Sequence, residues 1–192
     1  MNALPLDPLA CALFLVAAFV LAGAAQALWL GSDASRRWAW PIDGGRRFRN
    51  RRLLGDNKTA RGFVVMIPAT GLAFLLLALG LGDRTGLWPL SSAQYLALGV
   101  LAGAGCMLGE LPNSFVKRQL GIEPGAVAVG TLARAVFLIV DRLDSTLGVL
   151  AVLVLVVPVP SATAAYVLLL GVAIHAALSV ITFRLGGKAR AA

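Results

Sequence analysis

The chain has 192 residues, 59% of them hydrophobic and 14% charged, with a formal net charge of +8 and a mean hydropathy of +0.84. That balance excludes an ordinary soluble domain, because several apolar runs approach the roughly 20 residues that carry a helix across a bilayer. Nine of the 17 Lys and Arg lie between Arg36 and Arg61, seven lie in 117–142 or from Arg184 onward, and Arg84 stands apart, so the expected surroundings are membrane lipids and not nucleic acid.

The first apolar run, 9–30, contains Ala25-Gln26-Ala27, which has the look of a signal-peptidase site. Residues 1–8 carry no positive charge and the run is longer than a signal core, so a retained span is expected. A polar, Arg-rich loop follows over 31–61. A second span is expected over 63–81, kinked at Pro68. A turn-rich connector with Trp88 leads to a third span over 93–108, where Gly99, Gly103 and Gly105 form a small-residue face for helix packing. A second polar loop is expected over 110–134. The fourth span, 135–157, breaks at Pro158-Val159-Pro160-Ser161, and a fifth covers 162–183.

The expected fold class is therefore all-α: a polytopic membrane protein of about five transmembrane helices in one domain, 1–192. Counting Lys and Arg in the short loops places 31–61, 110–134 and the C-terminus on the cytoplasmic side, with the N-terminus, 82–92 and 158–161 outside. Cys11 and Cys106 lie inside apolar runs and are expected to act as small hydrophobes.

Three polar clusters could do chemistry. Asp141 and Asp144, in Val140-Asp141-Arg142-Leu143-Asp144-Ser145, share one helical face at a spacing of three. Two acids at that depth call for a hydrated, charged cavity; they suit Mg2+, which binds through one or two carboxylates plus substrate phosphates, and they equally suit a helix-end cap paired with Arg142. Glu110, Asn113, Ser114, Lys117 and Arg118 form a set that can grip a polyphosphate, or an ordinary basic flank. In the first loop, Asp43-Gly44-Gly45 and Gly55-Asp56-Asn57-Lys58-Thr59 place glycines beside charged groups, as in loops shaped around phosphate, although the Walker A spacing is absent; a polybasic patch on anionic lipid is the other reading. His175, the only histidine, shares a face with Ser179 in the fifth span.

Taken together, these clusters resemble the CDP-archaeol synthase family, a branch of the CTP:phosphatidate cytidylyltransferases. The likeness is carried by Pro41-Ile42-Asp43-Gly44-Gly45 with Leu54-Gly55-Asp56-Asn57-Lys58-Thr59, by Ser114-Phe115-Val116-Lys117-Arg118 with Leu120-Gly121-Ile122, and by Asp141-Arg142-Leu143-Asp144. His175 with Arg184-Leu185-Gly186-Gly187-Lys188 is similar to the family's last-helix ending. Glu110, Gln119, Ala60 and Ser179 depart from residues frequent in the family.

The resemblance implies a five-helix membrane enzyme whose cytoplasm-facing cavity binds CTP and Mg2+. A lipid phosphate monoester attacks the α-phosphorus of CTP, releasing pyrophosphate and leaving a CDP-activated lipid. It further implies Asp141 and Asp144 as the metal site, catalytic together with Lys117. Lys117 and Arg118 then hold the triphosphate, Asn113 and Ser114 orient it, and Asp43, Gly44, Gly45, Gly55, Asp56, Lys58 and Thr59 complete the nucleotide pocket. Two other classes compete: a small transporter for an anionic solute, which predicts charges at mid-bilayer, and a non-catalytic lipid-binding protein, against which Asp141, Asp144 and Lys117 speak. A phosphatidyltransferase of the CDP-alcohol type needs an Asp-Gly-x2-Ala-Arg run that the sequence lacks.

Overall fold

The computed structural model describes residues 5–81 and 85–184, the side chains of 175–184 excepted. Five α-helices dominate: α1 (Pro8–Gly31), α2 (Ala60–Gly80), α3 (Ser92–Gln119), α4 (Thr131–Val156) and α5 (Ser161–Arg184). Each packs on its neighbours in sequence, and α5 closes back onto α1, so the helices form a ring. Among the described residues α1, α2 and α3 are long and apolar enough to cross a membrane, and the apolar part of α5, Ser161–Ile174, is shorter. Arg134, Asp141, Arg142 and Asp144 interrupt the apolar sequence of α4.

The helix starts follow local chemistry. Asp7 caps α1 by accepting from Leu9 N–H (2.8 Å) and Ala10 N–H (3.1 Å), and Pro8 occupies the first turn, where no N–H is needed. Ser91 and Gln94 form a reciprocal capping box at the start of α3.

Helix α3 corrects the sequence expectation of a loop from residue 110. It continues through Pro112 to Gln119, shrinking the connection to 120–130. Its end is set by Gly121, which adopts φ +77° while Ile122 N–H donates to the Lys117 carbonyl (2.9 Å) and Gly121 N–H to that of Arg118 (3.0 Å). These are the paired bonds of a Schellman ending, and Gly121 takes the left-handed conformation at no steric cost. The polar residues 110–118 thus sit on a rigid helix. The other correction is a small hairpin in the first loop, where Arg47–Phe48 (β1) pairs antiparallel with Arg51–Arg52 (β2). Arg49 and Asn50 both have positive φ, as a two-residue hairpin turn matching strand twist requires.

Contacts divide the molecule into two ends. At one, Asp7 N–H donates to the Gly86 carbonyl (2.8 Å), Trp88 Nε1 to that of Pro158 (2.8 Å) and Thr163 Oγ1 to that of Pro8 (3.1 Å), beside a buried aromatic cluster of Phe14, Phe74, Trp88 and Tyr95. At the other, Trp29 Nε1 donates to the Arg61 carbonyl (3.0 Å), and the basic first loop docks on the C-terminal end of α3 through Arg51, Gln119 and the Phe48–Phe115 ring contact. Between the ends, large apolar side chains such as Leu72, Leu76 and Leu155 point outward, as expected where the solvent is lipid.

Candidate active site

The site is assembled by glycine. In lipid there is little hydrophobic drive between helices, so association rests on close packing and interhelical hydrogen bonds. Helices α3 and α4 meet backbone to backbone at Gly105, Gly109 and Gly148: a Cβ on Gly148 falls 2.2 Å from the Gly105 carbonyl oxygen, and one on Gly109 falls 2.5 Å from that of Asp144. On a different face, Gly99 and Gly103 press α3 against Thr70, Phe74 and Ile67 of α2. The small-residue face expected from the sequence is thus two faces, and Gly109 and Gly148 complete the one that builds the site.

That apposition brings Asp141 and Asp144 of α4 to Asn113 and Lys117 of α3. The Asn113 Nδ2 amide donates to Asp141 Oδ1 (2.6 Å) and to Asp144 Oδ2 (2.8 Å), bridging the two carboxylates. Lys117 Nζ pairs with Asp141 through both oxygens. Asp144 Oδ1 also accepts from Ser145 N–H (2.7 Å) and, at 3.3 Å, from Ser145 Oγ. The helix-end alternative, an Asp–Arg142 pair, is not formed among the described residues.

Two further strands of the cluster join the first loop to α3. Lys58 pairs with Glu110, and Gly55 lies against Arg118, where a Cβ would meet the guanidinium Nε at 3.1 Å. Arg118 is buried; its Nη1 donates to the Ile122 carbonyl and its Nε has no partner. Ser114 is buried beside it on α3.

Asp43 serves the loop itself. Its Oδ1 accepts from Gly45 N–H (3.0 Å) and Arg52 Nη2 (2.8 Å), and its Oδ2 from Leu54 N–H (3.0 Å) and Gly55 N–H (3.4 Å). With its lone pairs filled, Asp43 holds Gly44, Gly45 and Gly55 in place. Exposed Asp56 pairs with the same Arg52, and Thr59, buried, bridges to Pro41 and immediately precedes α2 without a side-chain capping bond. Burial alone raises the Asp43 pKa, but the bonds from Arg52, Leu54 and Gly45 outweigh it and hold the carboxyl at about 2, below its ordinary 3.8. A carboxyl depressed on folding stabilises the loop above its unfolded value, so this stabilisation is complete above about pH 4 and disappears as pH falls towards 2. Replacing Arg52 by Ala is expected to move acid-induced opening of the loop to higher pH. Limited proteolysis across 36–61 between pH 2 and 5 checks this, and identical profiles in wild type and variant contradict it.

The donor chemistry fits a hard divalent cation supported by phosphate. Two carboxylates stand together, and the Asn113 Oδ1 acceptor beside them is buried and unpartnered. Among the described residues no three His, Cys, Asp or Glu converge into a protein-only metal cage. His175 belongs to α5, but its side chain and that of Ser179 lie outside the described residues, as do residues 185–188.

A ring of mostly apolar helices with paired acids, an amide and cations at one end defines a polytopic membrane protein whose polar site suits phosphate and a divalent cation. The family model for CarS-like CDP-archaeol synthases matches residues 9–190. The CDP-archaeol synthase of Halobacterium salinarum is 41% identical over 121 residues, covering 62% of this chain and 61% of that protein. That of Archaeoglobus fulgidus is 35% identical over 156 residues, 77% of this chain and 82% of that protein. A solved structure described as an intramembrane enzyme for archaeal membrane lipids biosynthesis superposes with a TM-score of 0.64 at 28% identity, covering 88% of this chain and 92% of that one. The chain belongs to the CDP-archaeol synthase family. Its members are CTP-using nucleotidyltransferases of archaeal membrane lipid synthesis.

Proposed function

We propose that this chain catalyses the CTP-dependent conversion of archaetidic acid, a lipid phosphate monoester, to CDP-archaeol. An acceptor phosphate oxygen forms a bond to the α-phosphorus of CTP, the α–β phosphoanhydride bond breaks, and pyrophosphate leaves with the electron pair. Such a transfer needs in-line positioning and charge neutralisation more than a covalent nucleophile. The observation that carries the reading is the Asn113 amide bridging Asp141 and Asp144, with Lys117 closing on Asp141.

Asp141 and Asp144 would hold Mg2+, which supplies charge neutralisation at the triphosphate. Lys117 and Arg118 add positive charge on the same side, the first as a mobile point charge and the second as a fixed fork. Asn113 keeps the carboxylates oriented, and Ser114 offers a hydroxyl donor. The Asp43-ordered loop presents Gly44, Gly45 and Gly55 backbone, with Lys58, Thr59 and Asp56, to the nucleotide. All five helices act as spans of one membrane domain, with the loop 31–61 and the polar end of α3 in the cytoplasm, where CTP is available. The basic bias of those segments supports that orientation.

The test is direct: purified protein, labelled CTP, Mg2+ and archaetidic acid, with ester-linked phosphatidic acid alongside. Magnesium-dependent appearance of CDP-archaeol and pyrophosphate is expected. CTP left unconsumed with either lipid, by protein that is folded, overturns the reading.

A further inference from the structure

Arg142 has no part in the scheme above. It is half-buried on α4, next to Asp141, and makes no ion pair or hydrogen bond with any described residue. A guanidinium that has no partner among the described residues and stands among apolar helices is expensive, and such a group marks an anion's place.

Beside it lies a partly enclosed cleft of about 150 Å³ bounded by α1, α3, α4 and α5. Leu15, Phe19 and Val167 make its walls apolar, while Arg142, Ser145 and Thr146 make one side polar. Ser145 connects this polar side to the site, since its N–H and Oγ both reach Asp144 Oδ1. The faces of α4 explain the arrangement: Asp141, Asp144 and Gly148 turn to α3, while Arg142, Ser145, Thr146 and Val149 turn to the cleft. The cleft therefore has a cationic end adjoining the carboxylates and an apolar remainder opening among the helices. Free phosphate leaves the apolar walls unexplained, and a neutral lipid leaves the arginine unexplained.

We propose that Arg142 binds the phosphate monoester of the acceptor lipid, whose first chain segments lie in the cleft. Longer hydrocarbon continues beyond it, because a volume of about 150 Å³ holds only the part nearest the head. The proposal rests on the cytidylyltransferase reading and deepens it. It makes Arg142 a substrate-binding residue for the lipid, separate from the groups assigned to CTP, and it sets the attacking oxygen beside Asp144.

Arg142→Gln and Arg142→Lys, compared with wild type, test it. Arg142→Gln is expected to raise the KM for archaetidic acid about tenfold or more, as loss of a charge-assisted hydrogen bond does, with CTP affinity unchanged and partial recovery in Arg142→Lys. Gly171→Leu is the second variant: a Cβ there already comes within 3.1 Å of Thr146 Oγ1, so the added side chain intrudes on the cleft. It should weaken long-chain acceptors more than short-chain ones. Equilibrium binding of a short-chain lipid phosphate, measured without CTP, separates the two claims. If wild type binds it and Arg142→Gln does not, the inference holds even where no CDP-lipid forms. If wild type turns over and Arg142→Gln keeps the wild-type lipid KM, or loses lipid and CTP binding equally, the inference fails and the cytidylyltransferase reading stands.

Discussion

Changing Asp144 to Asn is expected to lower CDP-lipid formation by about 10²–10³-fold, the scale seen when one preorganised electrostatic group is removed from a reacting centre. The substitution preserves size and leaves an oxygen to accept from Ser145, so packing of α4 on α3 survives. What disappears is one of the two negative charges that would hold a divalent cation, and with it the cation's neutralisation of the triphosphate. Asp33→Asn is the matched control, because Asp33 is exposed and among the described residues pairs only with Arg36 on the 3-10 turn that follows α1. Its activity should stay within about threefold of wild type, in keeping with the small worth of exposed ion pairs. Rates are to be measured at saturating CTP with helicity and thermal unfolding checked in the same detergent. Retention of more than a tenth of wild-type activity by Asp144→Asn would remove the carboxylate pair from the mechanism.

The second large effect is expected at Gly148, which touches no proposed substrate. A Cβ at this position lies 2.2 Å from the Gly105 carbonyl oxygen and 2.7 Å from the Gly109 Cα, both backbone atoms that cannot swing aside. Gly148→Val must therefore push α4 from α3. Overpacking a tight contact costs about 1–3 kcal/mol and more where backbone is struck. The same displacement stretches the Asn113 bonds at 2.6 and 2.8 Å, which fall off steeply with distance and angle. Lower thermal stability together with loss of CTP-dependent activity is the expected pair of results. A Gly148→Val protein that unfolds like wild type and keeps its rate would show that this contact does not position the carboxylates.

The positions of Lys and Arg made the helix order and the polar end legible in the sequence, and the ordered motifs named the chemistry. Asp141 and Asp144 could be placed on one face by spacing alone, and both do turn to α3. Other features depended on groups far apart in the chain. The meeting of Gly109 with Gly148 spans two helices and a loop, and nothing local signals it. Asn113 looked like one polar residue among several, and its bridging position follows only from that meeting. The loop expected from residue 110 reflects a charge pattern that marks where polarity begins, which is not where a helix ends. The stop signal was Gly121, legible as a left-handed glycine once the helix is known to reach it. Asp43, grouped with the nucleotide pocket on the strength of its motif, spends its oxygens on Gly45, Arg52, Leu54 and Gly55, an ordering role within the loop that the motif alone does not reveal.

The ring of helices has a consequence for how the protein is made. Every contact around it joins elements adjacent in sequence except the one between α1 and α5. A chain delivered to the bilayer from its N-terminus can seat each new helix on the one already there, so most of the structure forms from short-range pairings that cost little loop closure. The α1–α5 junction is different: it waits for the last helix and joins the two extremes of the sequence. It is a seam, and the cleft beside Arg142 borders it on both sides, with Leu15 and Phe19 from one edge and Val167 from the other. Biogenesis thus leaves the last-formed joint of the bundle next to the cleft beside Arg142.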